Sequence, residues 1–234
     1  MKQETIEKWN SELKKASPEE IIEFAFNNIE GQIALASSLS VEDQLVTAMI
    51  AEKNYDCWFF TLDTGRLPQE TYDTIAATEK KYGIRIHAQF PNRAEVENMI
   101  NEHGVNLFYD SIEKRKLCCA IRKTQPLQRA LQGKAAWITG LRREQSITRI
   151  NLPIFELDVH TGLIKVNPIA DLFETEVWDQ IKAKDIPYNE LQDKGYRSLG
   201  CLPCTRPVEK DDDFRAGRWW WENPDSKECG LHIK

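Results

Sequence analysis

The cysteines fall into groups that suit different chemistry. Cys118 and Cys119 are adjacent, Cys201 and Cys204 form a CxxC pair on a Gly/Pro turn, Cys57 stands alone, and Cys229 lies five residues from the chain end. Adjacent cysteines point in different directions and do not easily reach one small ion together, whereas a multi-iron cluster presents several corners. The set Cys118, Cys119, Cys201 and Cys204 therefore suits a 4Fe-4S cluster better than zinc. Lys114, Arg115, Lys116, Arg122 and Lys123 surround the adjacent pair and would favour an anionic cluster. Cys57, beside an apolar run, reads as a small buried hydrophobe. Cys229, next to Gly230, reads either as a surface thiol or as a mobile nucleophilic thiolate.

A second set of residues could bind an anion. "SSLSVEDQ", Ser37 to Gln44, places Ser37, Ser38 and Ser40 where a strand turns into a helix, so backbone N–H groups and hydroxyls converge. An N-cap cluster is the plain alternative, and Glu42 and Asp43 would repel phosphate if they faced it. "LDTGRLPQETY" places Asp63, Thr64, Gly65 and Arg66 at another strand end, and "TGLRREQSITR" brings Arg142, Arg143 and Arg149 to a third. Paired planar donors of this kind suit a doubly anionic ligand. Arg215 and Arg218 in "RAGRWWW" could dock a tail over such an anion, with Trp219, Trp220 and Trp221 anchoring it or simply packing.

These residues need a frame that gathers strand ends. "QIALAS" and "WFFTLD" are strand-like runs, each followed by a helical pattern, from about Val41 and Pro68 respectively. "IRIHAQF", a helix through "AEVENMI" and "AAWITG" continue the alternation. The expected fold is α/β, a mainly parallel sheet flanked by helices, with ligands at the carboxyl ends of the strands. Ser17, Pro18, Glu19 and Glu20 form an N-cap, a first-turn proline and an acidic first turn. The expected organisation is an N-terminal helical segment over 1–30, an α/β domain with the metal site over 31–208, and a mobile C-terminal tail over 209–234. A net charge of -6 argues against a general nucleic-acid or membrane-surface binder. No stretch has the apolar length of a membrane span, and the start of the chain is charged and amphipathic, so the expected location is cytoplasmic.

The motifs "KLCCAIRK", "GLRREQS", "GCLPCTRPV", "RAGRWWWE" and "KECGLH", with "LDTGRLPQETY" upstream, closely resemble the assimilatory adenylyl-sulfate and phosphoadenylyl-sulfate reductases. The resemblance spans about Ser37 to His232. It implies an adenine nucleotide alpha hydrolase-like, Rossmann-like fold and a cluster-bearing branch acting mainly on adenosine 5'-phosphosulfate (APS). It further implies a 4Fe-4S cluster on Cys118, Cys119, Cys201 and Cys204, with Cys229 as the nucleophile. Lys123 matches the lysine between cluster and substrate. Arg142 or Arg143, with Arg215 and Arg218, match the arginines around the phosphosulfate, and the turn from Ser37 to Asp43 matches a modified pyrophosphate-binding loop. Ser40 and Val41 stand where relatives often carry a glycine-containing turn. The implied reductant is thioredoxin and the implied intermediate an S-sulfocysteine.

Three rival readings follow from the same residues. One is a reductase of 3'-phosphoadenosine 5'-phosphosulfate (PAPS), if a cation meets the 3'-phosphate. Another is an ATP-dependent, adenylating thiolase-like enzyme, which would release pyrophosphate. The last is a nonenzymatic nucleotide-binding redox sensor, which gives Cys229 no covalent role. Homo-oligomerisation is not legible in the sequence.

Overall fold

The computed structural model describes residues 2–209 and 212–223. The N-terminal segment forms α1 (Lys2–Glu12) and α2 (Pro18–Asn28). Ser17 starts α2 as a capping box: its hydroxyl accepts from the Glu20 N–H at 3.2 Å, and its own N–H donates to the Glu20 carboxylate at 2.7 Å. Both helices bury apolar residues in the main core, Ile6 from α1 and Ile21, Ile22 and Ala25 from α2. Trp9, Phe24 and Phe155 meet edge to face, which fixes these helices on the sheet.

The chain then alternates β1 (Ile33–Ala36), α3 (Val41–Glu52), β2 (Cys57–Leu62), α4 (Gln69–Tyr82), β3 (His87–Gln89) and α5 (Arg93–His103). Next come α6 (Ile112–Cys119), a π-helical segment over Ala120–Thr124, α7 (Gln125–Leu131) and β4 (Ala136–Ile138). A hairpin of β5 (Phe155–Leu157) and β6 (Ile164–Val166) and the helix α8 (Glu174–Ala183) follow. The six-stranded sheet has the order β3-β2-β1-β4-β6-β5, parallel except for the antiparallel β5–β6 pair. The strand order reverses between β1 and β4, so the loops at their carboxyl ends separate to leave a crevice.

Helix α3 lies under that crevice, and ten of its twelve residues are buried, so it has no solvent face. Its first turn carries Glu42 and Asp43 into the interior, where each needs partners. Asp43 joins the two strand ends. Its carboxylate accepts from the Ser38 N–H and hydroxyl, both at 2.6 Å, after β1, and from the Gly140 N–H at 3.1 Å, after β4. Glycine is required at 140, because a Cβ there would collide with the Asp43 carboxylate and with the backbone of α3.

Burial raises the Asp43 carboxyl from 3.8 to about 6, against the pull of the Ser38 and Gly140 donors. A carboxyl that is more protonated in the folded than in the unfolded state makes stability fall as pH rises between its two pKa values. The unfolding free energy relative to Asp43→Asn, from urea titrations at a series of pH values, is therefore expected to fall between pH 3.8 and about 6 and to level off above. A pH-independent difference would contradict the burial-raised Asp43 carboxyl.

Candidate active site

The crevice is a cavity of ≈ 190 Å³. Its floor includes Phe60, Leu62, Leu127 and Trp137 from the sheet and α7, and Ser37, Ser38 and Ser40 form part of its rim. The turn over these serines is tight without any glycine. Leu39, fully buried, holds a left-handed backbone at φ 62°, and the Ser37 hydroxyl accepts its N–H at 3.1 Å. Ser40 is the N-cap position of α3 but makes no side-chain cap bond, and its hydroxyl accepts from Ser38 at 3.3 Å. The lining is cationic, with Lys123, Arg149, Arg197, Arg215 and Arg218 present beside the carboxylates of Glu42 and Asp43.

Arg218 is buried, and its seat is built from glycine. One guanidinium nitrogen donates to the Leu199 carbonyl, while its buried Nε has no hydrogen-bond partner. A Cβ on Gly200 would collide with the guanidinium. A buried cation that lines a cavity and leaves one donor unpaired is costly in isolation and suits an anion bound there. The following Trp219 has φ 42°, and its N–H reaches the Cys204 carbonyl at 3.2 Å, which ties the arginine segment to the CxxC turn.

A second, smaller cavity adjoins the first. It is lined by the thiols of Cys118, Cys119, Cys201 and Cys204 together with Arg66, Arg115, Arg122, Lys123 and Phe108. Lys123 is the residue common to both linings. The π-helical segment explains how Cys118-Cys119 and Lys123 share this corner. Pro126 has no N–H to continue the α-helical ladder, and the Gln125 N–H bonds instead to Ala120 five residues back. That widened turn re-aims the residues that follow the cysteine pair.

The loop after β2 docks the CxxC turn from the other side. The Thr64 hydroxyl lies 3.1 Å from the Cys201 sulfur, the Leu202 N–H donates to the Arg66 carbonyl at 2.9 Å, and Arg122 donates to the Thr64 carbonyl at 2.6 Å. Burial raises the Cys118 thiol, and burial with the neighbouring Cys201 pushes Cys204 up to about 12. Among the described residues no group of three His, Cys, Asp or Glu side chains could hold a single metal ion. Four cysteines around one cavity, with cations beside them, are the kind of donor set that a cluster with irons at separate corners would need.

Residues 32–207 match the family model described as the phosphoadenosine phosphosulfate reductase domain. The chain belongs to the phosphoadenosine phosphosulfate reductase family. It is 50% identical over 200 residues to the adenosine 5'-phosphosulfate reductase of Allochromatium vinosum, covering 86% of this chain and 78% of that protein. The adenosine 5'-phosphosulfate reductase of Burkholderia cepacia is 49% identical, with 86% and 81% covered. Among solved structures, the phosphoadenylyl-sulfate reductase of Candida auris, a phosphate complex, superposes with a TM-score of 0.75 at 28% identity, covering 88% of this chain and 97% of that one. A Campylobacter jejuni NH3-dependent NAD synthetase shares the fold alone, with a TM-score of 0.53 at 12% identity over 76% of each chain.

In this member of the reductase family the residues singled out from sequence separate into distinct sets. Ser37, Ser38, Ser40, Lys123, Arg215 and Arg218 line the larger cavity, and the paired cysteines line the smaller. Asp63, Thr64, Gly65 and Arg66 are absent from the larger lining. Asp63 accepts from the Gly65 N–H and the Tyr72 hydroxyl and so shapes its own turn, with Gly65 at φ 70°, while Thr64 and Arg66 face the CxxC turn. Arg142 and Arg143 are not brought to the cavity either. Arg142 donates to Glu42 at 2.9 Å and Glu144 at 2.6 Å, and Arg143 pairs with Asp171 and the Leu152 carbonyl. The strand-end arginine that lines the cavity is Arg149, held by Gln145 at 2.6 Å. Arg197 and Phe214 also line it, and neither was singled out from sequence. Cys229 lies outside the described residues.

The Arg218 seat can be tested through its glycine. Gly200→Ala needs no unusual backbone but displaces the guanidinium. It is expected to weaken AMP binding by about 1.5 to 3 kcal/mol, roughly 10- to 150-fold, with little change in melting temperature. Unchanged affinity in a calorimetric titration would show that Arg218 does not face the nucleotide.

Proposed function

We propose that the chain reduces APS to sulfite and AMP in sulfate assimilation, with Cys229 as nucleophile and thioredoxin as reductant. The observation that carries this reading is the pair of adjoining cavities that share Lys123, one cationic and at the switch point of the sheet, the other lined by four thiols. The named relatives support APS over PAPS, since those near 50% identity are adenosine 5'-phosphosulfate reductases whereas the phosphoadenylyl-sulfate reductase is at 28%.

In this reading the apolar floor takes the adenosine, and the serine turn and cations hold the phosphosulfate. The Cys229 thiolate attacks the sulfonate sulfur. The bond from that sulfur to the bridging oxygen breaks, AMP leaves with the electron pair, and Cys229 carries an S-sulfonate. Lys123, Arg149, Arg215 and Arg218 offset the repulsion between thiolate and anion and stabilise charge that develops on the bridging oxygen. Thioredoxin, with a dithiol potential of about −270 mV, attacks the Cys229 sulfur and displaces sulfite. Its second thiol then releases Cys229, so two electrons pass from the dithiol to sulfur.

Cys118, Cys119, Cys201 and Cys204 would hold a 4Fe-4S cluster. Bound there, it would tie α6 to the CxxC turn and set a local field beside Lys123, while the reducing equivalents come from thiols.

Cys229→Ser gives the test. The hydroxyl is nearly isosteric but stays protonated, whereas a thiol with a reference pKa near about 8.5 supplies some thiolate at neutral pH. The variant is expected to keep its iron absorbance and its AMP affinity while releasing no sulfite from APS with thioredoxin. Sulfite release at the native rate would remove Cys229 from the mechanism.

A further inference from the structure

Phe214 lines the nucleotide cavity immediately before Arg215 and Arg218, and two guanidiniums lie over its ring. The Cζ atoms of Arg142 and Arg197 are 5.7 and 5.3 Å from the ring centroid, within the range of cation–π attraction. Both arginines are held in place by other groups. Arg142, with its side chain 1% exposed, is fixed by Glu42 and Glu144. Arg197 is fixed by Glu174 at 2.5 Å, and the Glu174 N–H donates to Glu144 at 2.7 Å, so the two arginine sites are joined through one chain of carboxylates. Arg197 also donates to the Asp212 carbonyl at 2.9 Å, gripping the backbone of the same segment that carries Phe214.

Electrostatics explains why an aromatic ring suits this place. Two cations sit near one another at a partly dry site, and the negative face of a ring attracts both, which an aliphatic side chain of similar bulk does not. We propose that Phe214 is a positioning residue: its ring, held by Arg142 and Arg197, docks the segment bearing Arg215 and Arg218 against the nucleotide cavity. Arg142 thus serves the site through Phe214. The consequence for nucleotide affinity rests on the proposed function, while the docking itself does not.

The test uses the full-length, anaerobically purified protein and compares Phe214→Leu, which keeps apolar bulk, with Phe214→Tyr, which keeps the π face. The first readout is amide exchange in the absence of nucleotide, at the Arg218, Trp219 and Glu222 N–H groups, which bond to the carbonyls of Arg215, Cys204 and Trp219. Phe214→Leu is expected to speed their exchange by about five- to thirtyfold, the range set by two partly buried cation–π contacts, and Phe214→Tyr to leave it within about twofold. The second readout is AMP affinity, which is expected to fall in the leucine variant and recover in the tyrosine variant, with iron absorbance unchanged in both. Equal exchange in all proteins, or equal acceleration in both variants, overturns the proposal. Exchange that behaves as expected in a native protein that neither binds AMP nor reduces APS would leave the docking intact and defeat the functional reading instead.

Discussion

The buried ion pair between Arg115 and Glu222 sets the geometry on which both cavities depend. The guanidinium meets the carboxylate with two bonds, Nε to Oε1 at 2.8 Å and Nη2 to Oε2 at 2.7 Å, and the side chains are 1% and 3% exposed. Its Cζ also lies 4.5 Å from the centre of the Trp219 ring. Desolvating two charges is expensive, so a well-packed apolar pair of similar volume would hold such a site as well or better. What the charged pair adds is direction. It joins α6, which carries Cys118 and Cys119, to the carboxyl end of the segment that carries Arg215 and Arg218. Trp219 keeps its left-handed backbone between two tied points, Arg218 just before it over Gly200 and Glu222 three residues after it on Arg115.

From that junction the functional groups spread in two directions. Toward the sheet, Arg218 meets the crevice between β1 and β4, whose width is governed by Asp43 and Gly140. Toward α6, the CxxC turn, the loop after β2 and the π-helical segment close on one another through short contacts at Thr64, Arg66 and Arg122. Lys123 stands where the two regions meet, which makes the charge of one felt in the other. The many cations gathered here sit in a chain of net charge -6, so the positive field is local to the crevice.

Much of this was legible in the sequence, for identifiable reasons. The strands at Ile33–Ala36 and Cys57–Leu62 are apolar runs bounded by turn residues, and the start of α2 carries every chemical mark of a cap, so pattern and structure agree there. The paired cysteines were legible because side-chain chemistry, not conformation, singles them out. The left-handed turn at Leu39 was not, since no glycine marks it. Nor were Arg142 and Arg143 distinguishable from Arg149: a 3-10 turn over Arg143–Gln145 decides which guanidinium faces the crevice, and such a turn has no periodicity to read. Arg197 and Phe214 meet the site only through long-range docking of segments without regular structure.

In the proposed reaction the crevice presents the sulfonate of APS to the Cys229 thiolate, with AMP as the leaving group. Its most direct measurement is a single turnover without reductant, in which protein and APS are mixed, AMP is quantified, and the peptides are weighed by mass spectrometry. One sulfonate on the peptide containing Cys229, AMP in equal amount, and loss of that mass on adding reduced thioredoxin are expected. A sulfonate on one of the other cysteines, or AMP released with no covalent adduct, would contradict it.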